Sequence, residues 1–227
     1  MKAWLLDDFR GIERLRLGEV PDPHPSPGEV VLQVRYAALN PADRYLAEAL
    51  YPAKPKLPHI LGRDGIGEVV AVGEGVSAWR VGDRALILRS EIGVARHGTL
   101  AQKVAAPADV ITAMPSGWSE QEAAAAPLVY LTAWQALTQW HDLPARANVL
   151  ITGGSGGVGV ASIQLAVAMG HKVIAMSRGA VMRRCPDGMP AFSGKLPAIS
   201  RNDVTSGCTR SKNVRPADVN STARVVR

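Results

Sequence analysis

Asn148-Val149-Leu150-Ile151-Thr152-Gly153-Gly154-Ser155-Gly156-Gly157-Val158-Gly159 is the stretch that decides the fold of this 227-residue chain. Its first five residues form a short apolar, β-branched run that reads as a buried strand, and the glycines after it read as a tight turn. Val160 to Met169 then has helical periodicity, with Ile163, Ala166 and Val167 on one face and Gly170 placed as a C-cap. Lys172-Val173-Ile174-Ala175-Met176 is a second strand. Strand, glycine turn, helix and strand in about 30 residues make a βαβ unit.

Within that unit Gly154-Ser155-Gly156-Gly157-Val158-Gly159 satisfies G-x-G-x-x-G. The first glycine permits the turn, the second lets backbone N–H groups approach a pyrophosphate, and the third allows close helix–strand packing. The helix N-terminus adds favourable partial positive charge. Because the motif sits between a strand and a helix, it predicts dinucleotide binding rather than an ordinary βα turn. An NAD site would place Asp or Glu at the end of the second strand, roughly 20 residues past the glycines. This chain has Ser177-Arg178 there, with no acidic residue between Asp142 and Asp187 and with Lys172, Arg183 and Arg184 nearby. A guanidinium pairs bidentately with a 2′-phosphate, so NADPH is the expected cofactor, the other reading being a solvated basic loop.

Upstream, residues 1–125 read as mostly β. Glu29–Ala37, Glu68–Val72 and Arg84–Leu88 are short strands punctuated by Gly and Pro, which suggests a barrel or sandwich. Ser116 or Ser119 is placed to cap an Ala-rich helix, and an apolar helix runs from Leu128 to Leu137, with Trp134 and Leu137 expected to pack inward.

The net charge of +6 would ordinarily suggest an anionic macromolecular partner. Of 26 Lys+Arg and 20 Asp+Glu, residues 178–227 hold ten and three, leaving 16 and 17 in residues 1–177. The body is thus nearly neutral. Both cysteines, Cys185 and Cys208, fall in the basic segment, and two cysteines make neither a disulfide framework nor a four-cysteine zinc site. No run of about 18 apolar residues occurs, and the sequence opens without a signal-like apolar core, so a soluble, cytoplasmic protein with no membrane partner is expected.

Five ordered stretches carry a family resemblance. They are Ala38-Leu39-Asn40-Pro41-Ala42-Asp43, Pro58-His59-Ile60-Leu61-Gly62-Arg63-Asp64-Gly65-Ile66-Gly67-Glu68-Val69, Val81-Gly82-Asp83-Arg84, Gly98-Thr99-Leu100-Ala101-Gln102, and Ala123–Leu128 with Leu131-Thr132-Ala133. With the glycine loop behind them, residues 1 to about 178 resemble the medium-chain dehydrogenase/reductase superfamily, in its zinc-free quinone oxidoreductase branch. The resemblance implies an α/β protein with a β-rich part: a GroES-like barrel (1–125) followed by a Rossmann domain (126–178), with the active site in the cleft between them. It also implies Asn40 and Thr132 near the nicotinamide and ribose, and a small-molecule acceptor. Tyr45, Tyr51 and Tyr130 are candidates to line the acceptor pocket or, equally, half-buried core aromatics. Asp43 and Asp64 are expected to tie the barrel loops together, and no catalytic acid or base is singled out.

Zinc alcohol dehydrogenases of the superfamily place Cys where this chain has Asn40, and His-Glu where it has Arg63-Asp64. Catalytic zinc needs about three soft or imidazole ligands, and Asn and Arg supply neither thiolate nor imidazole, so no metal is expected. The histidines His24, His59, His97, His141 and His171 lack ligand spacing and are expected on the surface or in loops.

After Gly179 the patterning stops. Nine of the fifty residues 178–227 are Leu, Ile, Val or Phe, below the share of roughly 20% at which a charged segment is expected to be disordered. A full doubly wound sheet needs well over ~100 residues. Residues 179–227 are therefore expected to be an out-of-frame or disordered ending, the rival being a genuine basic tail. On this reading the Rossmann domain is incomplete and the homodimer interface usual in the family is missing. The functional expectation is an NADPH-dependent reductase of quinones or α,β-unsaturated carbonyls. The alternative is a catalytically silent chain with weak dinucleotide binding, and nucleic acid is the less favoured partner.

Overall fold

The structure is a computed structural model. It describes residues 1–88, 90–139 and 143–177, together with the backbone of strands at 180–183 and 224–226. The chain divides into two compact units, Met1–Leu128 and Val129–Arg227.

The first unit is built from two antiparallel sheets. β1 (Lys2–Leu6), β2 (Arg16–Glu19) and β4 (His59–Ile60) form one, in the order β2-β1-β4. The other has the order β7-β3-β5-β6-β8, from β3 (Glu29–Ala38), β5 (Asp64–Val72), β6 (Arg84–Ile87), β7 (Lys103–Pro107) and β8 (Ile111–Ala113). The sheets are joined through the segment at 100–102: Gln102 N donates to Lys2 O, and Val34 N donates to Gln102 O. Val30, Leu32, Val69, Ile87 and Val104 pack together as the main core. Each such side chain contributes roughly 1.5–3 kcal/mol on burial.

β5 begins four residues earlier than the apolar run at Glu68–Val72 suggests. Its first residues, Asp64-Gly65-Ile66-Gly67, pair with Ala38, Ala37, Tyr36 and Val34 of β3, so a long-range ladder makes strand out of glycine-rich sequence. Close backbone approach also explains Gly98, where a Cβ would lie 2.3 Å from Gly62 O.

α1 (Pro41–Ala47) follows β3, and α2 (Glu120–Ala125) follows β8. Ser119, one of the two candidates, caps α2: Glu122 N donates to Ser119 Oγ, and the Glu122 carboxylate accepts from Ser119 N at 2.9 Å. Ser119→Ala is expected to destabilise the first unit by about 1 kcal/mol, read by denaturant titration. Glu120 lies between Arg84 (3.0 Å) and Arg35 (3.7 Å), tying α2 to the five-stranded sheet.

α3 (Pro127–Thr138) buries Ala133 and Leu137, whereas Trp134 is 52% exposed, so the expectation that Trp134 packs inward is corrected. The buried stripe runs through the i,i+4 pair, and Trp134 lies about 100° around the helix from Ala133.

In the second unit β9 (Asn148–Thr152), α4 (Gly157–Ala168) and β10 (Lys172–Ser177) form the βαβ unit, with β9 and β10 parallel and in register from Asn148↔Lys172 to Thr152↔Met176. α4 starts three residues before Val160, because Gly157–Gly159 supply its first turn. Gly170, at φ +81°, ends it in the left-handed conformation. The backbone at β11 (Ala180–Arg183) pairs antiparallel with β10, and that at β12 (Arg224–Val226) pairs parallel with β9. The expectation of an out-of-frame or disordered ending over 179–227 otherwise lies outside the described residues.

Among the described residues, no helix is long and apolar enough to cross a membrane.

Candidate functional site

In the first unit a buried polar cluster forms around Asn40, the residue before α1. Asn40 N donates to Asp43 Oδ2 at 2.8 Å, so the Asp43 carboxylate closes the helix start, and its Oδ1 accepts from Gly62 N at 3.2 Å. The Asn40 amide nitrogen donates to Asp64 Oδ2 at 3.1 Å. Asp64 also accepts from Leu128 N, at 3.2 Å on Oδ1 and 3.3 Å on Oδ2. Pro127 has no N–H, so Leu128 N–H is the first donor of α3, and the carboxylate sits at that helix's positive end. The Thr99 hydroxyl donates to Asp64 O at 2.9 Å.

Burial drives the electrostatics here. Asp64 is 2% exposed, and desolvation pushes its carboxyl up to about 6, against the hydrogen bonds from Asn40 and Leu128 that favour the charge. Asp43 is likewise raised by burial. Beside them, Arg63 Nη1 donates to the Tyr51 hydroxyl at 3.0 Å, and its guanidinium lies 5.8 Å from the Tyr51 ring centroid.

His59 corrects an expectation. It lies in β4 and is 1% exposed, packed 5.5 Å from the His97 ring, not on the surface or in a loop. Its Nε2 is buried without a hydrogen-bond partner, and desolvation lowers its basicity to about 4. Among the described residues, no three His, Cys, Asp or Glu side chains converge.

In the second unit the glycine motif builds an open helix start. Gly153, at φ +69°, makes the turn out of β9, and Gly154 N donates to Met176 O at 2.8 Å, which holds the turn against the end of β10. Gly156 precedes α4 in an extended conformation with no side chain capping the helix. The first amides of α4 therefore lack an intrahelical partner. The glycines differ in why they are glycine. A Cβ on Gly159 would lie 2.2 Å from Gly153 O and 2.8 Å from Gly154 Cα, so the protein's own packing forbids it. A Cβ on Gly156 would meet nothing nearer than Gly153 O at 3.4 Å. The fold does not require glycine at 156, whereas an anion approaching the helix start would. The residues present therefore fit a pyrophosphate.

Ser155, Gly157 and Val158 lie in this loop and first turn, and Ser177 is half-buried at the end of β10. Arg178 lies outside the described residues. Tyr45 is 49% exposed on α1, Tyr51 is held by Arg63, and the Tyr130 hydroxyl on α3 donates to Gln164 Oε1 on α4. Thr132 lies on α3, in the second unit. The structure thus gathers Asn40, Asp43 and Asp64 in one cluster and Gly153–Gly159 with Ser177 in another. The bond from Leu128 N to Asp64 escaped sequence reading, since a backbone amide 64 residues away carries no local signal.

Comparison with known proteins agrees with this layout. Residues 26–116 match the alcohol dehydrogenase GroES-like domain. The synaptic vesicle membrane protein VAT-1 homolog of Rattus norvegicus is 37% identical over 167 residues, covering 73% of this chain and 40% of the relative. The quinone oxidoreductase of Lama guanicoe is 35% identical over 175 residues, covering 77% of this chain and 52% of the relative. The crystal structure of an alcohol dehydrogenase superfamily protein from Novosphingobium aromaticivorans superposes with a TM-score of 0.73 at 37% identity, over 79% of this chain and 54% of the other. The chain spans about half the length of the curated relatives it matches.

Proposed function

We propose that this chain, a member of the medium-chain dehydrogenase/reductase superfamily with its GroES-like domain at residues 26–116, is an NADPH-dependent oxidoreductase of the quinone oxidoreductase type. The observation that carries the reading is the uncapped start of α4, with Gly156 free of any packing demand, inside a βαβ unit that follows a GroES-like domain. The bound nicotinamide would supply hydride to an electron-poor acceptor such as a quinone or an α,β-unsaturated carbonyl. The chain's own residues bind and orient. Amides of Gly157, Val158 and Gly159 face the pyrophosphate, and Ser177, with Arg178 next in sequence, receives the adenosine ribose and its 2′-phosphate. Asn40 and Thr132 are assigned to the nicotinamide side, and Tyr45, Tyr51 and Tyr130 to the acceptor.

The chemistry proceeds without zinc. Asn40 spends its amide N–H on Asp64, and Arg63 is a cation bound to Tyr51, so neither position offers a metal a thiolate or an imidazole. Site of action is assigned to the cytoplasm and the acceptor to a small molecule. The test is a fluorescence titration with NADPH and NADH in parallel, followed by quinone-dependent NADPH oxidation. NADPH is expected to bind at least about tenfold more tightly than NADH, since a bidentate charged pair contributes more than 1.4 kcal/mol. Equal binding overturns the cofactor preference. Absence of both binding and turnover assigns the chain to a catalytically silent class.

A further inference from the structure

Arg63, the residue before β5, is a half-buried cation. Among the described residues its guanidinium makes one hydrogen bond, from Nη1 to the Tyr51 hydroxyl at 3.0 Å, and lies in no ion pair. Asp43 and Asp64 feel its field, but their oxygens are taken by other donors: Asn40 N and Gly62 N on Asp43, the Asn40 amide and Leu128 N on Asp64. A guanidinium carries five N–H donors, so most of this fork is unspent. Because the Tyr51 oxygen accepts from Arg63, its own O–H is directed away from that bond and is a second donor. The two donor atoms lie 3.0 Å apart, close enough to converge on a single oxygen at ordinary hydrogen-bond distances. Placing that oxygen there offsets the cost of desolvating the cation, most of all when the oxygen is negative.

We propose that Arg63 is a further acceptor-binding residue, which with the Tyr51 O–H holds the reducible carbonyl oxygen of the acceptor and takes up the negative charge that forms there. The inference rests on the reading above, which gives Tyr51 to the acceptor. A quinone or an α,β-unsaturated carbonyl that receives hydride gains one hydrogen and two electrons. Its oxygen becomes a phenolate or an enolate while the nicotinamide is oxidised, and the second hydrogen arrives as a proton from water. Donors fixed beforehand at that oxygen favour the developing anion over the neutral acceptor, which lowers the barrier. The nearby carboxylates of Asp43 and Asp64 oppose an anion, and each is partly neutralised by its own two donors. An acceptor whose reduction leaves no anionic oxygen gains nothing from the pair.

The probe is 4-nitrophenol, whose phenolate carries the charge of a reduced acceptor and whose absorption band tells the two forms apart. The full chain is expected to bind the phenolate at least about tenfold more tightly than the neutral phenol, the worth of a charge-assisted hydrogen bond. Arg63→Met should erase that preference, and Arg63→Lys, which keeps the charge but not the fork, should restore part of it. In NADPH-dependent quinone reduction Arg63→Met should lower kcat about a hundredfold, the worth of one oxyanion donor, with NADPH affinity unchanged. A guanidinium that only braced Asp43 and Asp64 would shift the urea midpoint on substitution and leave the phenolate preference intact. That result overturns the proposal, as does an unsubstituted chain with no preference for the phenolate. If Arg63→Met does not fold, Arg63→Lys and Tyr51→Phe decide, and an undiminished preference in both overturns it. Quinone turnover unaffected by Arg63→Met removes Arg63 from the acceptor site and leaves the redox reading standing. An Arg63-dependent phenolate preference in a chain that neither binds NADPH nor reduces quinones supports the anion site and overturns the redox reading instead.

Discussion

Gly159→Ala is expected to abolish dinucleotide binding and to destabilise the second unit by about 3 kcal/mol or more, at or beyond the upper end of ordinary overpacking. The added Cβ would sit 2.2 Å from Gly153 O and 2.8 Å from Gly154 Cα, and both obstacles are backbone, so no rotamer change relieves them. Relief requires α4 to move away from the β9 turn, which also displaces the amides at its start. Gly156→Ala provides the contrast. Its Cβ meets only Gly153 O, at 3.4 Å, so stability should change by less than about 1 kcal/mol while NADPH binding is lost. Denaturant unfolding followed by NADPH titration of both variants reads the difference. Equal loss of stability in the two would mean that Gly156 is glycine for packing, and the pyrophosphate assignment would fall.

The second large effect is a cancellation. Asp64 has a folded pKa of about 6 against an ordinary 3.8, so the folded state binds this proton more tightly. Its contribution to stability is complete below 3.8 and is lost as pH rises through about 6, a swing of about 3 kcal/mol. His59 has the opposite sign. Its folded value of about 4 lies below the ordinary 6.5, so its contribution is complete above 6.5 and is lost as pH falls to about 4, again about 3 kcal/mol. Over the shared interval of about pH 4 to 6 the two slopes oppose each other.

Stability of the unsubstituted chain should therefore change little across that interval through these two groups. Asp64→Asn exposes the histidine slope, so that variant should gain up to about 3 kcal/mol at pH 7 and surrender the gain on acidification. His59→Asn exposes the carboxylate slope and should become more stable as pH falls. Urea midpoints of the three proteins across the interval measure this. Parallel pH profiles would show that these groups do not titrate as their burial dictates.

Legibility in the sequence followed the range of the interaction. Ser119 could be proposed as the cap of α2 because its partner, Glu122, is three residues away. Gly170 could be placed at the end of α4 because a helix end needs only one residue with positive φ. Trp134 was misplaced because the side of α3 that is buried depends on partners such as Ala147 and Val149, and α3 is apolar nearly all round. The early start of β5 was hidden because its first residues become strand only by pairing with β3, about 26 to 33 residues upstream.

By itself the sequence determined the βαβ unit, the glycine turn, the strands that begin at Glu29 and Arg84, the helices after Ser119 and at Leu128–Leu137, and the neutral character of residues 1–177. Each of these rests on spacings of a few residues, where covalent geometry and side-chain period leave little freedom. Tertiary structure alone decided that His59 is a core residue with an unpaired nitrogen, and that Asp64 gathers Asn40 from 24 residues away and Leu128 from 64. Desolvation is the physical reason. Whether an ionisable group sits in water or in the core depends on which distant segments cover it, and only the packed chain specifies those.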